Sequence, residues 1–340
     1  MNDPLAKLKR WFTGGGLLWP LLGLAALLAY DFAFVDGFFR LEIRDGHLYG
    51  TLIDILNQGS KTMLLALGMT LVIATGGVDL SVGSLMAIAG AIAAALVTQS
   101  EMSLALIVPI ALCATAALGV FNGALVSVAG IQPIVATLIL MVAGRGIAML
   151  ITGGQIVTFE HAGFVYIGNG HFMGLPFTLT IVALALGGTS LLMRKTACGL
   201  FVEAAGDNET ASRFSGLPTR WVKLSVYAFS GLCAGLAGLI AASNIKAADS
   251  SRVGEMMELD AIFAVVVGGT ALTGGRFNLL GSIVGALLIQ TLTTTMITQG
   301  VPPAVAPVPK AIVIVAVCLL QSERFRNEVS GWFGKRRATA

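Results

Sequence analysis

The chain has 340 residues, 56% of them hydrophobic and 11% charged, where a soluble domain carries roughly 25% charge. A mean hydropathy of +0.87 excludes a soluble enzyme and leaves no room for a separate polar domain. The formal net charge of +3 is too small for a nucleic-acid partner, and none is expected.

The first residues, "MNDPLAKLKRWFTGGG", put positive charge ahead of an apolar run, as a signal peptide does. The run that follows, Leu17 to Val35, is long enough to span and has no small-residue cleavage site. It is read as an uncleaved first span. Nine more apolar stretches follow, over 62–76, 83–98, 104–128, 132–152, 175–193, 222–242, 259–272, 279–297 and 308–321. Charge tests that count. With the N-terminus inside, the outer set of cations is only Arg40, Arg44, Lys61, Lys246, Arg252 and Lys310, the 153–174 loop carries none, and Arg145 lies within a span. The rest of the 21 Lys and Arg fall on the cytoplasmic side, which fits ten spans with both termini there. An odd number would send a basic head or tail outside. The expected fold is therefore an all-α membrane protein of about ten helices, one transmembrane domain over 1–340.

Two spans look too short. Thr62 to Gly76 rises roughly 22 Å as a helix, against about 30 Å of hydrocarbon, and it runs into "ATGGVDLSVGS". Leu259 to Gly269 is shorter still and runs into "GGTALTGGRFNLLGS". The two segments are weakly alike. Short Gly-interrupted segments in the two halves of a chain point to a transport site, because non-helical backbone survives at membrane depth only beside protein or water. Close helix packing is the plainer use of glycine, but it leaves the acid at position 79 unexplained.

An ionisable group at membrane depth is a functional candidate by default. Asp79 can cap the helix starting near Val82, or touch the substrate. Arg145, in "LMVAGRGIAMLIT", can pair with Asp260 or Glu258 or line a path. Asn122 and Gln290 are amides within spans that can join two helices. No chain of buried acids suggests a proton relay, and no G-x-x-x-x-G-K-[ST] supplies a P-loop. Energy, if used, comes from a partner. The four cysteines show no C-x-x-C spacing and the three histidines no ligand spacing, so no metal and no catalytic group is expected.

The long cytoplasmic loop, about 194–222, contains a predicted short helix from Asn208. Asn208 is its N-cap, Glu209 lies in its first turn, and Gly216 and Pro218 follow as stops.

"GMTLVIATGGVDLSVGSLMAIAG" resembles the hallmark segment of the permease subunits of bacterial ABC importers for monosaccharides, the ribose, xylose, arabinose and galactofuranose group. "NGALVSVAGIQPIVATLILMVAGRGIA" is similar to their next block, at Asn122, Gly123, Pro133, Ala136, Thr137, Leu138, Arg145 and Gly146. "EAAGDNETASRFSG" resembles their ATPase-engaging loop, at Glu203, Ala204, Gly206, Asn208, Ala211 and Gly216. "ILMVAGRGIAMLITGGQIVTF" and "ELDAIFAVVVGG" look most like galactofuranose permeases; Lys61 and "VPPAVAPVP" depart from the pattern. The resemblance implies a multi-pass protein of the bacterial inner membrane that performs no chemistry. Its implied partners are a separate ATPase that binds ATP and Mg, a periplasmic sugar-binding protein and a second permease, identical or different. The expected substrate path is Gly76, Gly77, Asp79, Ser81, Asn122, Thr137, Arg145, Gly268 and Gly269. A branched-chain amino acid ABC permease and a stand-alone secondary transporter are the alternatives.

Overall fold

Backbone groups have no water to bond in hydrocarbon, so an apolar run of this length has one local solution, the α-helix. Each of the ten apolar stretches is helical. The structure is a computed structural model that describes residues 17–44, 46–302 and 305–321. It contains α1 (Leu18–Phe34), α2 (Thr51–Ala74), α3 (Val82–Gln99), α4 (Leu104–Ser127), α5 (Pro133–Ile151), α6 (Ala162–Asn169) and α7 (Phe177–Lys195). These are followed by α8 (Cys198–Asp207), α9 (Glu209–Phe214), α10 (Thr219–Ile245), α11 (Met257–Val267), α12 (Leu279–Thr298) and α13 (Pro307–Gln321). Six of them, α3, α4, α5, α7, α10 and α12, are long and apolar enough to cross a membrane. The segment before residue 17 lies outside the described residues.

One of the two short spans is not short. α2 runs for 24 residues from Thr51; its outer half carries Asp54, Asn57, Gln58, Ser60 and Lys61, and that polarity hid it from a hydropathy reading. α11 is short, at 11 residues, and it ends at Gly268 and Gly269.

α10 is the central helix, packed against α2, α3 and α4. Small residues let it get close. A Cβ on Gly231 would lie 2.3 Å from the Thr115 carbonyl oxygen, and one on Gly238 2.3 Å from that of Met86. This is helix contact by backbone approach, the means available where lipid removes the hydrophobic drive. Three two-stranded pieces of sheet cover the end opposite α8 and α9. β1 (Glu42–Arg44) pairs with β2 (His47–Tyr49), and β4 (His171–Phe172) with β5 (Leu175–Pro176). β3 (Val157–Thr158) and β6 (Ala247–Ala248) join the loops that follow α5 and α10, with Val157 opposite Ala248.

Candidate functional site

Two irregular stretches enter the helix bundle from opposite ends. The first is 75–81, between α2 and α3. Gly76 turns the chain at φ +77, and Gly77 lies so close to Tyr227 that a Cβ there would be 2.6 Å from the phenol oxygen. Asp79 follows, fully buried. Its Oδ1 accepts from the Ser81 amide at 3.0 Å and the Ser81 hydroxyl at 2.6 Å; its Oδ2 accepts from the Ser230 hydroxyl at 2.8 Å. Asp79 is therefore not the cap of α3. It sits two residues ahead of the N-cap Ser81, whose own side chain makes no cap bond, and its one backbone partner is the Ser81 amide rather than an amide within α3. The carboxylate instead closes the turn and ties it to the middle of α10. Asn122 of α4 adds a bond from Nδ2 to the Ser81 hydroxyl at 2.9 Å, and the Thr137 hydroxyl of α5 lies 3.3 Å from the Val78 carbonyl oxygen. Three helices, α4, α5 and α10, thus converge on 78–81.

The second stretch is 249–256, between β6 and α11. Ser250 meets the Thr152 hydroxyl at 3.1 Å, level with the outer end of α5. Val253 accepts from Arg145, which stands six residues, roughly 9 Å, nearer the other end. Gly254 then crosses Gly83, where an added Cβ would lie 2.3 Å from the Gly254 oxygen and 2.6 Å from Glu258 Oε2. The chain therefore descends unwound into the bundle, and α11 starts inside it. That is why α11 is short.

Arg145 explains how the unwound stretch survives. Its guanidinium donates to the carbonyls of Ser250, at 3.2 Å, and Val253. It satisfies orphan backbone acceptors that a helix would have satisfied itself. No ion pair joins it to Asp260 or Glu258. Asp260 is held by Lys310 of α13 at 2.9 Å, a closer cation. On the surface of the same stretch, Arg252, Glu255 and Met256 are exposed.

At the other end of the bundle, Gly268 and Gly269 finish α11, with Gly269 at φ +88, and Asn278 caps α12 by accepting from the Gly281 amide at 3.1 Å. The two glycine breaks face each other. The Gly275 amide donates to the Ala74 carbonyl at 2.9 Å, and the Thr70 hydroxyl of α2 meets that of Ser282 at 2.7 Å. α8 closes over this contact. A Cβ on Gly206 would lie 1.8 Å from the Ala74 oxygen and 2.7 Å from the Gly275 nitrogen, so three backbones touch at one point. Gly76, Gly77 and Gly269 belong to this end, next to the loop segment 194–222, rather than to the middle of a span.

The loop helix begins as its sequence predicts. Asn208 Oδ1 accepts from the Ala211 amide at 2.9 Å, and Gly216 ends the segment at φ +84. α8, with Glu203, Ala204 and Gly206, was not foreseen as a helix; Ala204 accepts from the Ser212 hydroxyl at 2.7 Å, locking α9 onto it. Glu209 bonds Arg213 at 2.8 Å and Lys223 at 2.6 Å, pinning α9 to α10. Burial alone would raise the Glu209 carboxyl, but Lys223 and Arg213 hold it below its ordinary value. Phe214, at the tip, is 90% exposed.

Two residues of these clusters and one outside them escaped the sequence reading. Ser230 and Tyr227 look like ordinary span residues, and only the fold brings them to Asp79 and Gly77. Asp31 was legible as an acid in an apolar run; it is fully buried, with Oδ2 accepting from the Thr295 hydroxyl at 3.0 Å.

A family model described as the permease component of branched-chain amino acid transport systems matches residues 51–318. The chain is 48% identical over 322 residues to the galactofuranose transporter permease protein YtfT of Escherichia coli (strain K12), covering 95% of this chain and 93% of that protein. It is 40% identical to the fructose import permease protein FruF of Bifidobacterium longum (strain NCC 2705), over 92% of this chain and 89% of that protein. It is 35% identical to the ribose import permease protein RbsC of Escherichia coli (strain K12), over 93% and 97%. No solved structure matches.

Proposed function

Because the chain belongs to the family of transport-system permease components, we propose that it is the membrane subunit of an ABC importer for a monosaccharide, of the galactofuranose kind. The relatives described above are all sugar permeases by name, which favours a sugar over the branched-chain amino acid of the family's description. In this reading the protein crosses the bacterial inner membrane ten times. Both termini and the 194–222 segment lie in the cytoplasm, and 249–256 enters from the periplasmic face.

The observation that carries a transport path is the unwound stretch beside Arg145. It leaves Arg252 and Glu255 exposed between Ser250, which bonds Thr152 at the end of α5, and Gly254, which packs on Gly83 of α3. Charged side chains and bare carbonyls at that depth need water or protein beside them, and a sugar path supplies both. Sugar hydroxyls would bond to Arg252 and Glu255 as they pass, and a second permease, identical or different, would close the other side of the path. The chain has no P-loop, so ATP and Mg belong to a separate ATPase, and a periplasmic protein delivers the sugar. ATPase closure would press on α9 at Phe214 and on α8. Gly206 passes that movement to Ala74 and Gly275, the two breaks from which the irregular segments start, and the path opens alternately to each side.

Proteoliposomes holding the permease with its ATPase and a sugar-loaded binding protein are expected to concentrate radiolabelled monosaccharide only when ATP is supplied inside the coupled face. The permease alone is expected to accumulate none. Concentrative uptake by the permease alone, or a preference of the complex for leucine over sugar, overturns the reading.

A further inference from the structure

Two of the surface hairpins meet through a pair of imidazoles. Gly46, at φ +77, turns β1 into β2, and Met173 and Gly174, at φ +53 and +83, turn β4 into β5. The hairpins share one backbone bond, the Leu48 amide donating to the Gly174 carbonyl at 3.0 Å. Beside it the rings of His47 and His171 stack, with centroids 4.3 Å apart and planes 24° from parallel. Tyr49 leans on His171 at 5.5 Å, and the Tyr166 hydroxyl of α6 donates to the His171 carbonyl at 2.7 Å. β1–β2 leads from α1 into α2, and β4–β5 leads from α6 into α7. The stack therefore ties the α1–α2 connection to the start of α7, at the end of the bundle opposite α8 and α9.

Two neutral rings can stack in this way, and so can one ring and one cation, but two cations in contact repel. Histidine is the side chain that makes this change between about pH 5 and 8. Among the described residues nothing offsets the second charge. No acid pairs with either imidazole, and His47 Nδ1 is buried without a partner. β1 brings Arg44, opposite His47 in the ladder, and Glu42, opposite Tyr49, whose oxygens are taken by Arg40 and Arg44. α2 brings Asp54, which bonds neither ring, and α6 brings Tyr166; β4, β5 and the start of α7 bring no other charge. Burial, and then His47 beside it, push the His171 imidazole below its ordinary 6.5. A base shifted downwards favours the stacked form at higher pH. Contact is complete above about pH 6.5 and is lost as the pH falls through the lowered value.

We propose that the His47–His171 stack is an acid-sensitive latch, closed at neutral pH and released when the second ring takes a proton, which frees the α1–α2 connection from α7. The inference rests on the proposed transport reading only for the side of the membrane, which that reading makes the periplasm. Opening itself is a property of the two hairpins.

The test uses the full chain with its four cysteines changed to alanine and spin labels at Ile43→Cys and Met173→Cys, both exposed positions on the two hairpins. Double electron–electron resonance in lipid nanodiscs, where one buffer reaches both sides, reads the distance between the labels. One population is expected from about pH 8 to 6.5, and a second, longer one is expected to grow from there to about pH 5. His171→Phe leaves an uncharged ring on which a protonated His47 can still rest, so that variant is expected to hold the short population over the whole range. His47→Phe is expected to do the same, and it decides the matter should the first variant insert poorly. A distance in the parent that does not change from about pH 8 to 5 overturns the latch. A shift that persists in the Phe variants overturns its assignment to this pair. Neither result touches the transport reading, whose failure shows in uptake instead.

Discussion

Asp79 shows how much one carboxylate can organise without a cation beside it. Three donors, one amide and two hydroxyls, converge on it, and leucine would strand all three in a buried site at roughly 1–3 kcal/mol each. Asparagine keeps one acceptor for Ser81, and its amide can donate to the Ser230 hydroxyl, which accepts as readily as it gives. Asp79→Asn is therefore expected to leave membrane yield and uptake within about threefold of the parent, a loss of under about 1 kcal/mol, while Asp79→Leu loses most of the folded protein. Size-exclusion yield and uptake measured side by side check this; equal damage from both changes would point to a role for the charge itself. Arg252 and Glu255 make the opposite kind of case: both are exposed, and Arg252 joins the local turn through its amide, which donates to Asp249. Arg252→Gln and Glu255→Gln are expected to insert normally and raise the half-saturating sugar concentration about tenfold, the effect of one lost charge-assisted hydrogen bond. Unchanged uptake would remove them from the path. The sequence made Asp79 and Arg145 conspicuous, as ionisable groups in apolar surroundings. It could not tell their bonds, because Ser230 and Val253 reach them from segments more than a hundred residues away.

Among the elements, the apolar helices were readable because lipid permits no other backbone for such runs. α2 was misjudged in length because its outer half is polar on a face that the fold covers: Asn57 bonds Thr178 of α7 at 2.8 Å, and Gly59 lies against Gln290 of α12. α8 was missed since a ten-residue helix with a glycine near each end has little periodicity to show. α9 was legible from its cap alone. Its attachment depends on Glu209, whose carboxyl titrates below the ordinary glutamate value of 4.5 in the fold. A lowered folded value means that the attachment is complete above about pH 4.5 and is lost as the pH falls through the folded value. Protection factors of the 211–215 amides are expected to stay level from about pH 8 to 5 and drop below that window; Lys223→Met should lower them at neutral pH as well, and a flat profile in the parent would mean that the ion pairs do not hold α9. Gly206→Ala puts a Cβ where the Ala74 oxygen already stands. It is expected to abolish uptake while membrane yield stays near that of the parent, since α8, with α9 locked onto it by Ser212, must lift away from Ala74. Gly216→Ala, strained only by its φ of +84 and facing open space, should cost about 1 kcal/mol and little transport. Normal uptake by Gly206→Ala would deprive the crossing of any part in coupling.

At the scale of the whole molecule, the two ends of the bundle are joined by different means. At one end, β3–β6 pairing, the Thr152–Ser250 bond and Arg145 clamp the two halves together. At the other, the halves meet beneath α8 through the Gly275–Ala74 amide–carbonyl bond and the Thr70–Ser282 hydroxyl pair. Sidedness is checked by placing cysteines at the two ends in a background with no other cysteine. Glu160→Cys, beside the outer clamp, should react with an impermeant maleimide in right-side-out vesicles, and Ser215→Cys only in inverted ones; labelling of both from one side would contradict ten spans. The contact beneath α8 also bears on attempts to change the ATPase proposed to drive this permease. Transplanting 196–218 alone from a homologue would bring a donor helix against a host crossing it was not shaped for, so chimeras that keep uptake should need residues 74–77 and 273–276 moved with it. If the 194–222 segment meets an ATPase as proposed, its recognition surface would be inherited as a block of three distant pieces, and partner choice would drift by joint replacement of those pieces rather than by editing the loop alone.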